Sequence, residues 1–232
     1  MSRPQKARLP LMSGIVAKCR RSAAPIIAYY YQSNGIPLGV QRGCATISRM
    51  SGPHDRSIRP FALEDAATIL ARTPATLCAL LRDLPESWIN AHEGGDTWSP
   101  FDVIGHLIHA DRTNWIPRAI TILEHGDAKP FVEFDRFAHF ENSKGRTLSS
   151  LLDEFAAVRQ ASVAALRRTV TAADLGRVGQ HPALGVVTLQ QLLAAWVVHD
   201  LDHLMQISRV LARQYTDAVG PWRQYLRIVR EP

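Results

Sequence analysis

Between Thr188 and Gln214, Leu192, Ala195, Trp196, His199, His203, Gln206 and Val210 recur at three- and four-residue steps. That spacing puts them on one face of a long helix. His199 and His203 therefore stand one turn apart on an inward stripe. A buried ring nitrogen left unpaired costs about 1–3 kcal/mol, so two imidazoles on such a stripe require partners. At i, i+4 the pair can reach one metal ion from the same face, as in two-histidine zinc helices. A hydrogen-bonded pair of core histidines is the competing reading.

Two ligands do not make a site, and a third is expected from a facing helix. His106 is the best candidate, with His109, one turn beyond it, as the alternative. Three neutral imidazoles leave a coordination position open, the catalytic arrangement, not the closed structural one. Asp102, one turn before His106, and Gln206, one turn past His203, are placed to orient imidazoles or a bound water. Asp200 and Asp202 point away from His199, which predicts charged outer surface or a helix contact. Trp196 is expected in the core.

The remaining patterning supplies the facing helices. Apolar residues from Phe61 to Leu84 predict a first helix, with a kink or restart at Pro74 and an end at Pro85. Ser99-Pro100 with Asp102 starts a second helix that runs to about His125: serine caps, proline suits the first turn and the carboxylate complements the dipole. Pro117 is expected to bend it and Gly126 to close it. Residues 129–146 carry four phenylalanines, Phe131, Phe134, Phe137 and Phe140, and read as a lid or pocket wall, or as a covering loop. Thr147 caps a third helix over Leu148 to about Val170, Thr171–Leu175 forms one turn, and residues 176–187 cross to Thr188, the cap of the fourth. A short fifth helix is expected from Gly220-Pro221-Trp222 to about Val229. No strand-like alternation is strong. Four amphipathic helices between Pro/Gly loops predict an all-α four-helix bundle with a short C-terminal helix.

The net charge of +6 and pI of about 9.6 suggest nucleic acid at first sight. Residues 1–54, however, hold eight basic side chains and no acid, which leaves 19 basic against 21 acidic from Asp55 onward. A phosphate-backbone footprint on residues 55–232, the expected bundle domain, is thereby disfavoured. Residues 1–54 lack periodicity and read as a disordered basic extension. A basic arm, a targeting peptide and sequence upstream of a start at Met50 are its three readings, and the third is favoured. Cys19, Cys44 and Cys78 are odd in number and unpaired in spacing, which fits a reducing, cytoplasmic setting. No run approaches the roughly 18 apolar residues of a membrane helix.

Ser99-Pro100 before Gly105-His106-Leu107-Ile108, the pair within Trp196-Val197-Val198-His199-Asp200-Leu201-Asp202-His203, and the closing Gly220-Pro221-Trp222 together resemble the DinB-like superfamily. The resemblance covers roughly Phe61 to Arg230. It implies an up-down-down-up bundle with a divalent metal, zinc or nickel, on His106, His199 and His203. It also implies a small-molecule enzyme, a thiol S-transferase or a hydrolase, that activates water or a low-molecular-weight thiol such as bacillithiol or mycothiol. The alternative is a non-enzymatic metal-binding or stress-response bundle that dimerises through its helices.

Overall fold

The structure, a computed structural model, describes residues 59–95 and 97–230, and the statements below concern those residues. The readings of residues 1–54, of Met50 and of Cys19 and Cys44 fall outside them. The elements are α1 (Leu63–Leu81), α2 (Glu86–Ile89), α3 (Pro100–Ala110), a π-helical segment Asp111–Trp115, α4 (Ile116–His125), α5 (Ala138–Asn142), α6 (Leu148–Thr169), strands β1 (Val178–His181) and β2 (Gly185–Thr188), and α7 (Leu189–Arg213).

The helix ends follow local chemistry. Ser99 and Asp102 form a reciprocal capping box at α3, and Thr188 and Gln191 do the same at α7. Thr147 accepts from the Ser150 amide at the start of α6. Gly126, at φ 59°, closes α4. Because α3, the π segment and α4 are continuous, the second long helix spans Pro100–His125. Its irregular turn lies just before Pro117, whose missing N–H cannot extend the regular ladder.

The apolar core falls into two clusters. One contains Leu70, Trp115, Ile122, Leu166, Leu189 and Trp196; the other contains Leu77, Ile104, Leu107, Leu152, Phe155 and Ile207. Following the chain, α1 and α7 run from the first cluster to the second, whereas α3–α4 and α6 run from the second to the first. The order is up-down-down-up. α1 and α3 each pack on both α6 and α7. Since the second and third long helices are parallel, their connection must travel back along the bundle, which accounts for the length of residues 127–147.

Between the clusters lies a polar layer. Arg159 of α6 is 1% exposed, and the Asp111 and Asp200 side chains are fully buried. Arg159 donates through Nε and Nη2 to Asp111 at 2.7 and 2.9 Å. It also donates through Nη1 and Nη2 to Asp200, the second at 3.1 Å. Its remaining Nη1 proton goes to the Leu70 carbonyl at 3.1 Å. That carbonyl is the one Pro74, lacking an N–H, cannot serve. α1 accordingly continues through Pro74, where the sequence predicts a kink or a restart: a guanidinium from another helix supplies the missing donor.

Three further expectations need correction. The crossing segment contains an antiparallel hairpin, Val178 opposite Thr188 and His181 opposite Gly185. Its strands are only four residues long and carry two glycines, too little for alternation to register. The fifth helix is two 3-10 turns, Gly220–Gln224 and Arg227–Val229, separated by the extended Leu226. Of the two readings of Asp200 the helix contact holds, through Arg159 of α6, and the charged outer surface does not: the most buried line along α7 is Leu189, Leu193, Trp196, Asp200, His203, Ile207 and Val210, rotated by one residue from the predicted stripe.

Candidate metal centre

His106 from α3 and His199 and His203 from α7 meet on the α3–α7 side of the polar layer. His106 and His203 are buried, and the His199 side chain is 25% exposed, so the cluster opens to solvent on that side. Nε2 of His199 lies 3.1 Å from Nε2 of His106 and 3.2 Å from Nε2 of His203. Among the described residues these three are the group of potential ligands that could share one ion.

Aromatic side chains wall the cluster. The Trp98 ring is 4.7 Å from His106 and stacks on His203 at 6.2 Å; Trp115 meets His199 edge-on at 5.1 Å. Phe134, from the connection that returns along the bundle, meets the His106 ring at 5.7 Å. That connection is therefore a wall of the site. Burial pushes His106 down to about 2 and His203 down to about 4, with the neighbouring imidazoles adding to both shifts. Both rings are neutral at physiological pH, the form that ligates metals.

Gln206 Oε1 lies 2.9 Å from His203 Nδ1. With Nδ1–H donating to that oxygen, the Nε2 lone pair of His203 faces the cluster. Asp102 does not reach the imidazoles. Its carboxylate accepts from the Ser99 amide and hydroxyl at 3.0 and 2.7 Å, so the helix cap consumes it. His109 stays outside the cluster, stacked on Phe134 at 5.1 Å. Asp202 is exposed, whereas Asp200 Oδ1 approaches His199 Nδ1 to 4.0 Å.

The sequence reading missed two features. His139 of α5 is fully buried against Trp98, 5.5 Å from the His106 ring, with Nδ1 on the Arg136 carbonyl. Nothing in the loop pattern marks it. Arg159 did carry a signal, because Phe155, Arg159, Ser162 and Leu166 fall on one buried face of α6 and a charge there demands a counter-charge.

Comparison with known proteins agrees with this architecture. A solved structure from Bacillus subtilis, YfiT, superposes with a TM-score of 0.59 at 23% identity, covering 68% of this chain and 91% of that one. YfiT is described as a probable metal-dependent hydrolase with an unusual four-helix bundle topology. No curated protein matches the sequence. The profile of the DinB superfamily matches residues 69–207, a span that takes in all three clustered histidines and the polar layer beneath them. The chain belongs to the DinB superfamily.

Proposed function

We propose that the protein is a divalent-metal-dependent enzyme acting on a small molecule, with His106, His199 and His203 as the metal ligands. The observation that carries this reading is the convergence of three imidazoles: His199 Nε2 lies 3.1 and 3.2 Å from the Nε2 atoms of His106 and His203, and one ligand atom from each ring lies within 4.8 Å of the others. A tetrahedral zinc with Zn–N bonds of about 2.0–2.1 Å needs its nitrogens roughly 3.3–3.4 Å apart, so the two pairs that include His199 match such an ion to a few tenths of an ångström. Imidazole donors suit zinc or nickel.

When bound, the ion supplies Lewis acidity, which lowers the pKa of a water or a low-molecular-weight thiol in its open position. The chain's own residues prepare for that chemistry. Gln206 fixes the His203 tautomer, and Asp200 adds a negative charge 4.0 Å from His199 Nδ1, too far for a hydrogen bond, while its oxygens accept from Arg159. Trp98, Trp115 and Phe134 exclude water from all but the His199 side. The description of YfiT favours hydrolysis as the first reaction class to test.

The test is elemental analysis of the untagged protein beside His106→Ala and His203→Ala, followed by hydrolysis and thiol-transfer panels. About one ion per chain, lost in both variants, with turnover on one panel, is the expected result. A wild-type protein that takes up neither zinc nor nickel would sink the proposal. Tight retention without turnover on either panel would reduce it to a metal-binding bundle.

A further inference from the structure

A cavity of about 520 Å³ lies behind Trp115, on the face of α7 one turn before His199, and its walls include Arg118, Asn114, His181 and Gln191. Arg118 is 8% exposed. Its polar and aromatic contacts are one hydrogen bond from Nη2 to the Val132 carbonyl at 3.3 Å and the face of Phe131 at 5.2 Å. It forms no ion pair among the described residues, and the cavity wall contains no carboxylate. Burial lowers its pKa, and no carboxylate among the described residues offsets that effect. The contrast with Arg159 is direct: that equally buried arginine is flanked by two carboxylates and has all five N–H groups placed. A buried cation with no carboxylate beside it among the described residues, in the wall of a cavity, is placed to receive an anion.

The neighbouring groups share the same polarity. His181 Nδ1 accepts from the Ala183 and Leu184 amides at 3.1 and 3.2 Å, so Nε2 carries its proton and remains a donor. Gln191 Oε1 is taken by the Thr188 amide at 2.8 Å, which leaves its NH2 group. The Trp115 indole N–H is buried with no acceptor. Two side-chain donors in the wall, a third buried beneath it and one permanent positive charge therefore border the cavity, while Leu184 and Val186 at its edge are 73% and 59% exposed.

We infer that this cavity binds a small monoanionic carboxylate with an apolar body: the carboxylate sits on the free N–H groups of Arg118, and the body lies against Leu184, Val186 and Leu192. One fixed cation matches a monoanion and undercompensates a phosphate dianion. The binding needs no metal. Only the identification of this carboxylate as the substrate rests on the proposed enzyme, with the Trp115 ring as the partition between its anionic end and the histidine cluster.

The experiment is calorimetric titration of the full chain, treated with chelator, with benzoate, benzamide and inorganic phosphate. Benzoate should bind about tenfold or more tightly than benzamide. Arg118→Gln should weaken benzoate about tenfold or more, and Arg118→Lys should weaken it less. Leu184→Glu, on an exposed turn that places no burden on folding, removes an apolar contact common to both ligands and adds a charge that repels only the anion, so it should weaken benzoate more than benzamide. Benzamide binding as well as benzoate, phosphate binding in preference to it, or undiminished benzoate binding in Arg118→Gln would overturn the inference. If Arg118→Gln does not fold, undiminished benzoate binding in Leu184→Glu overturns it. A His203→Ala protein that binds benzoate but no metal separates the failure of the metal reading from that of this one.

Discussion

Replacing Arg159 with methionine keeps most of the side chain's bulk and removes the charge on which three helices converge. The variant leaves Asp111 and Asp200 buried with no cation and strips the Leu70 carbonyl of its donor. To stay folded at pH 7, a carboxyl with an ordinary pKa near 3.9 must be held neutral, at about 4 kcal/mol. Neutralising one carboxyl costs about that and neutralising both costs about twice as much, close to the 3–5 kcal/mol typical of a broken buried pair at the lower end. Against a total of about 5–15 kcal/mol, such a loss leaves a marginal fold. Urea unfolding followed by circular dichroism measures it. The sign of the pH dependence identifies the cause. In the variant the two carboxyls have folded pKa values raised above their unfolded ones. Their contribution is thus fully present below the unfolded pKa and is lost as pH rises through the folded pKa. The gap between wild type and variant should therefore narrow from pH 7 to pH 5, by about 2–3 kcal/mol for each carboxyl that takes up a proton. Replacing Arg159, Asp111 and Asp200 together with apolar residues should recover most of the stability. A loss below about 1 kcal/mol, or a gap independent of pH, would refute the electrostatic reasoning and leave only a packing effect.

Three other outcomes are expected. In the metal-free protein His106 and His203 are held below the ordinary 6.5, so below that pH the unfolded chain binds more protons than the folded one. Stability should fall by about 2 kcal/mol per histidine between pH 7 and pH 5, and a denaturation midpoint that does not drop over that interval would contradict the burial argument. Gly179→Ala would place a Cβ 2.6 Å from Ile122 Cγ1 and 2.9 Å from two Phe131 ring atoms; it should cost about 1–3 kcal/mol, read as a lowered Tm. Thr188→Ala removes the oxygen that accepts from the Gln191 amide at 3.1 Å; it should cost about 1 kcal/mol, and an unchanged melting curve would show that the cap contributes nothing.

What the sequence could reveal divides by range. Ser99, Thr147, Thr188 and Gly126 act within a turn of where they stand, so helix ends were legible one residue at a time. The His199–His203 pair was legible for the same reason, as an i, i+4 relation on one helix. The polar layer was not. Arg159 finds its partners 41 and 48 residues away, and only the folded bundle shows that Asp200, and not a leucine, occupies the middle of the core line of α7. Pro74 misled because its cost is local and its remedy, a guanidinium 89 residues from Leu70, is not. The strands likewise owe their placement to the returning connection, through Phe131 and Gln180, and His139, which belongs to that connection, owes its burial to Trp98 and His106 beyond it.

The π-helical turn at Asp111–Trp115 also fixes how the chain can change in length. It is an extra residue wound into an otherwise regular helix, and on one side of it Asp111 meets Arg159 while on the other Trp115 meets His199. Deleting one residue there would close the widened turn into a regular α-helix and leave Arg118, Ala119 and Ile122 on their buried face, but the shortened turn could no longer present both Asp111 to Arg159 and Trp115 to His199. A change in count at this turn would therefore be felt at the polar layer and the histidine cluster, and not in the core packing of α4.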